Sequence, residues 1–211
     1  MLRFEKTVEV DAERALPGRD EPVLGMPFFH RVTADRIDRE FPGSQTAYLA
    51  AGCFWGVEKL FWGRPGVLST AVGYMGGFTP NPTYEEVCTG LTGHAETVRV
   101  VFDPAVISFA QLVRIFLENH DPTQLNRQGA DRGTQYRSAI FFTSDEQEAT
   151  ARSLCESFQV SLAEAGYGRL VTQIVPAGAW YYAEGYHQQY LEANPDGYCP
   201  VHATGVSCGT P

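Results

Sequence analysis

Apolar and polar positions alternate with clear periods from Thr46 onward, and the periods switch between strand and helix. Residues 46–51 (TAYLAA) read as a short buried strand. In 54–62 the apolar positions Phe54, Val57, Leu60 and Phe61 share a helical face, with Glu58 and Lys59 turned outward. Gly63 and Pro65-Gly66 end that helix. Residues 67–74 predict a second strand, closed by Gly76-Gly77. The turn-rich stretch 78–93 holds a one- or two-turn helix opened by a Thr83/Glu86 capping box. Residues 96–102 (ETVRVVF) predict a third strand, and a Ser108/Gln111 capping box opens an amphipathic helix through Leu117. A fourth strand is expected over 136–143, a long helix from Ser144 to Gly166, a fifth strand over 170–175 and a helix near 182–191. The order strand, helix, strand, strand, helix, strand predicts an α+β chain with a ferredoxin-like two-layer α/β sandwich.

The flanks differ. Residues 1–44 are irregular and proline-punctuated, and read as an N-terminal arm packed on the domain. A catalytic α/β domain is expected over 45–192, and a mobile C-terminal tail over 193–211. The polar run 123–135 has no periodicity, and a loop of that length inside a compact domain points to function.

Composition narrows the classes. The 211 residues are 44% apolar and 19% charged, ordinary for a globular chain able to bury a core without disulfides or structural metal. A net charge of −9 with no basic block argues against nucleic acid and anionic membrane as partners. No secretory leader or bilayer-spanning run is visible, so a cytoplasmic location is expected. The five cysteines are odd in number and scattered, unlike a secreted disulfide framework.

Those cysteines carry the candidate chemistry. Cys53 sits where a strand turns into a helix, and unpaired N–H groups at a helix start favour thiolate, which predicts a lowered pKa. Cys199 and Cys208 lie nine positions apart in the tail. A fixed nucleophilic sulfur and two thiols on a swinging arm form a relay. The first reacts, the second makes a disulfide with it, and the third carries that bond outward. Two other uses stay open. Cys53 with His94 or His187 and a carboxylate would suit a hydrolase or acyltransferase. Cys199, His202 and Cys208 offer three zinc ligands, without the second paired knuckle a closed site favours.

The run GCFWG (52–56) after an alanine-rich strand resembles the signature of the A-type peptide methionine sulfoxide reductases. The resemblance continues through GYMGGFTPNPTYEEVCTGLTGHAETVRVVFDP (73–104), HDPTQLNRQGADRGTQYRSAIFF (120–142) and YHQQYLEANPDGYC (186–199). It implies a two-layer α/β sandwich, and a monomer without bound cofactor or metal is expected. It also implies that Cys53 attacks the sulfur of a methionine S-sulfoxide and becomes a sulfenic acid. Cys199 would resolve that acid, and Cys208 would pass the disulfide to thioredoxin. By the same resemblance Glu96 is the acid, Tyr84 and Tyr136 flank the oxygen, and Asp131 is the loop carboxylate. Phe54 and Trp55 would form the recess for the S-methyl group, with Tyr190 and Tyr198 near the site. To donate at neutral pH, Glu96 must lie in an apolar pocket that raises its pKa. His94, His120 and His187 are expected to be structural, and Cys88 and Cys155 to be inert.

Overall fold

The computed structural model describes residues 6–198 and 202–208. Its elements in order are β1 (Gln45–Ala51), α1 (Phe54–Lys59), β2 (Val67–Met75), α2 (Tyr84–Cys88), β3 (Ala95–Phe102) and α3 (Phe109–Glu118). A small hairpin, β4 (Arg127–Gln128) and β5 (Asp131–Arg132), leads to a 3₁₀ turn at Thr134–Tyr136. Then come β6 (Ser138–Phe142), α4 (Asp145–Glu164), β7 (Gln173–Pro176), β8 (Tyr181–Tyr182) and α5 (Tyr190–Ala193). The main sheet runs β7-β6-β1-β3-β2-β8, and every pairing is antiparallel except β6 with β7. Its inner strands β6-β1-β3-β2 reproduce the ferredoxin-like order that the sequence pattern predicts.

Strand alternation sorts the core. Ala47, Leu49 and Ala51 of β1 and Val98, Val100 and Phe102 of β3 face one way. There they meet Phe54 and Phe61 from α1 and its end, Leu112 and Phe116 of α3, and Phe158 of α4. Ala50, Met75, Ala95 and Phe141 face the other way, against Val175 and Trp180. The arm completes that second cover, as Leu24, Phe28 and Ile37 pack with Ala71. With both faces covered, β2 and β3 are buried along nearly their whole length.

Both capping boxes form: Glu86 N–H donates to the Thr83 hydroxyl and Gln111 N–H to that of Ser108, with the reciprocal side-chain bonds present. Ser144 caps α4 by accepting from Gln147 N–H. Two expectations are corrected. The helix near 182–191 is not one helix. Tyr181–Tyr182 adds an edge strand to β2, and only 190–193 is helical. Gln188 explains the break, because its side chain bonds both the N–H and the carbonyl of Val72 and pins the segment across the sheet. In α1, which ends at Lys59, Glu58 does not turn outward but is fully buried.

The arm also touches the loop over 123–135. Thr134 N–H donates to the Lys6 carbonyl (2.8 Å), and the Asn126 amide donates to that of Thr7 (2.9 Å). Farther along, Arg19 grips the Glu86 carboxylate with two bonds of 2.7 and 2.9 Å.

Candidate active site

β1 delivers Cys53 to the start of α1, where it is the N-cap residue. Gly52 makes the turn at φ +96°, and a Cβ there would come within 2.7 Å of the Gln128 side chain. Gln128 itself is fixed by two bonds to the backbone of Asp121, so the loop cannot easily withdraw. Gly52→Ala is expected to cost roughly 1–3 kcal/mol of strain and to slow turnover, checked by urea unfolding and single-turnover rates.

The thiol is nearly enclosed, with 8% of Cys53 exposed. The expected depressed pKa is not what this site produces. Burial pushes the thiol well up, and the nearby Glu96 and Asp131 charges push the same way. The Trp55 and Gly56 N–H groups oppose them, but a helix of only six residues offers a weak positive end. Cys53 therefore rests as a thiol.

Glu96 lies at the head of β3, paired with Tyr74 of β2, and is 1% exposed. Its Oε2 accepts the Phe54 N–H at 3.0 Å, while its buried Oε1 has no partner. Burial pushes the carboxyl up to about 8, the Phe54 N–H pulling it down and Asp131 raising it. At neutral pH Glu96 therefore holds a proton, and a neutral Glu96 no longer opposes ionisation of Cys53. The Tyr84 and Tyr136 phenols are likewise pushed up, by burial first and then by Glu96, so both stay donors. Cys88, Asp131 and Cys53 push the Tyr136 phenol the same way. Asp131 accepts the Tyr198 hydroxyl at 3.2 Å through Oδ1, and its buried Oδ2 is unpartnered.

The aromatic wall follows from α1. Phe54 is buried among Tyr74, Tyr84 and His187. Trp55, half-buried, stacks on Tyr190 at 3.9 Å between centroids and 17° between planes. Its indole N–H donates to His187 Nδ1 at 3.0 Å. His187 is pushed down to about 4 by burial and is neutral. His94, also pushed to about 4 by burial, accepts the Gly77 N–H and bonds the Thr79 carbonyl. Each imidazole already has an indole or backbone partner and a low affinity for a proton, which disfavours the hydrolase reading. Sequence reasoning missed Glu184, which takes the Tyr74 hydroxyl (3.0 Å) and the Tyr84 N–H (2.8 Å). A lone Glu after an edge strand carries no sequence signal for that role.

The family model described as peptide methionine sulfoxide reductase matches residues 45–207. The chain belongs to that family. A curated relative from Corynebacterium kroppenstedtii, peptide methionine sulfoxide reductase MsrA, is 57% identical over 205 residues, covering 94% of this chain and 93% of that one. The solved methionine sulfoxide reductase A of Corynebacterium diphtheriae is 50% identical, with a TM-score of 0.85, covering 96% of this chain and 98% of that one. Mxr1 from Saccharomyces cerevisiae in reduced form is 37% identical, with a TM-score of 0.72, over 78% of this chain and 94% of that one. The activity is reduction of methionine sulfoxide, as a peptide-methionine (S)-S-oxide reductase.

Of the two cysteines in the C-terminal tail of this reductase, Cys208 is described and Cys199 lies outside the described residues. The segment before it reaches the site through the Tyr198 hydroxyl. The segment after it runs across Gly129, where a Cβ would meet the His202 ring at 2.1 Å. Cys208 lies farther on. Its N–H donates to Glu118 Oε1 of α3 at 2.7 Å, and with Val206 it packs on the core formed by α3 and α4. Burial and Glu118 push its thiol up to about 11. Cys155 is buried in α4, pushed up to about 12 by burial, and Cys88 is half-buried beside Tyr84.

Proposed function

We propose that Cys53 attacks the sulfur of a methionine S-sulfoxide, free or within a protein, while the Glu96 carboxylic acid hydrogen-bonds and protonates the departing oxygen. Tyr84 and Tyr136 donate to the same oxygen as charge gathers on it. Phe54 and Trp55 receive the S-methyl group, Tyr190 backs Trp55, and Tyr198 steadies the Asp131 carboxylate. The observation that carries this reading is the buried Glu96 Oε1, protonated at neutral pH and without a partner beside Cys53. That oxygen serves no structural bond and is ready for a substrate oxygen, while Oε2 takes the Phe54 N–H.

The electrons then balance in three steps. Attack by Cys53 forms a sulfur–sulfur bond as the protonated oxygen leaves as water. Water then attacks the Cys53 sulfur, that bond breaks, methionine leaves, Cys53 is left as a sulfenic acid and a proton returns to Glu96. The Cys199 thiol attacks that sulfur, forming a Cys53–Cys199 disulfide and releasing water. The Cys208 thiol then displaces Cys53, leaving a Cys199–Cys208 disulfide for a dithiol protein of the thioredoxin class to reduce. Because Cys208 is held by Glu118, this last exchange requires that contact to open. Mxr1 from Saccharomyces cerevisiae has been solved in complex with Trx2. No helix among the described residues is long and apolar enough to cross a membrane. We take the enzyme to act as a cytoplasmic monomer without a bound cofactor.

The test is reduction of the separate S and R sulfoxides of a blocked methionine with dithiothreitol or thioredoxin. Turnover of S alone is expected, and equal turnover of R would contradict the assigned recess. Cys199→Ser should yield one methionine per enzyme and then stop with thioredoxin as donor. Normal cycling of that variant would remove Cys199 from the resolving role.

A further inference from the structure

Glu58 is fully buried, yet its described partners are all neutral donors. Its Oε1 accepts the Thr70 hydroxyl at 2.9 Å and the Gln189 side-chain amide at 2.7 Å. Its Oε2 accepts the Gln189 backbone N–H at 2.9 Å. The hydrogens in this cage can be assigned. His30 Nδ1 accepts from the N–H groups of Val32 and Thr33, so its proton is on Nε2 and is given to Thr70 Oγ1 at 3.0 Å. The Thr70 hydroxyl is then free to donate to Glu58. Three donors converge on the carboxyl, and the arrangement suits a carboxylate. Burial pushes the group up to about 7 even with these donors opposing it.

A buried carboxylate without a cation is a costly way to anchor a helix, and an apolar side chain of similar volume would pack as well. What the carboxylate holds explains its presence. Gln189 stands in the left-handed region at φ +47°, between His187 and Tyr190. His187 takes the Trp55 indole N–H, and Tyr190 stacks on the Trp55 ring. Trp55 and Glu58 are one turn apart on α1, so the helix grips the 187–190 turn at two points.

We propose that Glu58 is a positioning residue for the reductase: through Gln189 it fixes the turn that sets the Trp55 ring, and so shapes the recess for the S-methyl group. The proposal rests on assigning Phe54 and Trp55 to that recess.

Glu58→Gln keeps the volume but places an amide where donors now converge. With saturating dithiothreitol, KM for a blocked methionine sulfoxide is expected to rise roughly tenfold, the scale of spoiling a methyl-sized pocket. kcat should change less than threefold, and the near-ultraviolet circular dichroism of the aromatic side chains should alter. The reciprocal pair Glu58→Gln with Gln189→Glu restores a carboxylate facing an amide and should recover part of the KM. Should Glu58→Gln fail to fold, Gln189→Ala is expected to give the same KM rise. A lowered Tm with unchanged KM in whichever variant folds would overturn the proposal. Trp55→Phe separates the two readings. If it leaves KM unchanged, the recess assignment falls and the proposal with it. If it raises KM while the Glu58 and Gln189 variants do not, only the proposal falls.

Discussion

Replacing Cys53 by serine is expected to abolish methionine sulfoxide reduction, by at least ~10⁴-fold, the scale on which loss of a nucleophile is felt. The exchange removes one sulfur in favour of one oxygen at the N-cap of α1. The fold should tolerate it, since no side-chain cap bond depends on the thiol and a serine is welcome at an N-cap. No second described thiol stands in for it. Cys155 and Cys208 lie at α3 and α4, and Cys88 faces Tyr84. Unchanged circular dichroism with no methionine formed, with dithiothreitol as donor, is the expected pair of results.

Glu96→Gln is expected to slow the chemical step by about 10²-fold or more, the usual worth of a positioned acid. The amide can still hydrogen-bond a substrate oxygen but cannot surrender a proton to it. pH separates this role from packing. In the folded enzyme Glu96 keeps its proton up to about 8, whereas the unfolded chain releases it near 4.5. The folded state therefore binds the extra proton between those values. Its contribution to stability is complete below about 4.5 and is lost as pH rises through about 8, by about 1.4 kcal/mol for each pH unit between. Urea unfolding at pH 5 and pH 9 should show Glu96→Gln gaining on the parent at the higher pH. Single-turnover rates of the parent should fall above about pH 8 through loss of the acid, and that limb should vanish in the variant.

The fold was legible because its signals are local. Strand alternation in β1 and β3, the Thr83 and Ser108 capping boxes, and the glycine and proline stops each act within a few residues. The 182–191 segment was misread because Gln188 reaches across to Val72 of β2, a tertiary bond that periodicity cannot show. Glu58 was misread for the same reason: its partners Thr70 and Gln189 lie 12 and 131 residues away. Cys53 stood out as a cysteine at a strand-to-helix turn, but the direction of its pKa did not. The push comes first from burial, which a short motif cannot announce, and then from acidic groups such as Asp131 that the fold brings to it. For Glu96, Tyr84, Tyr136 and Asp131 only the resemblance singled them out, since an isolated strand-end carboxylate and two tyrosines are commonplace.

The most direct test of the central claim uses Cys199→Ser, mixed with excess methionine S-sulfoxide and no reductant, and peptide mass mapping after a sulfenic-acid trap. The account predicts one methionine released per enzyme and one oxygen-derived adduct, on the peptide carrying Cys53. Methionine formed without an adduct on Cys53, or with the adduct on Cys88 or Cys208, would contradict it.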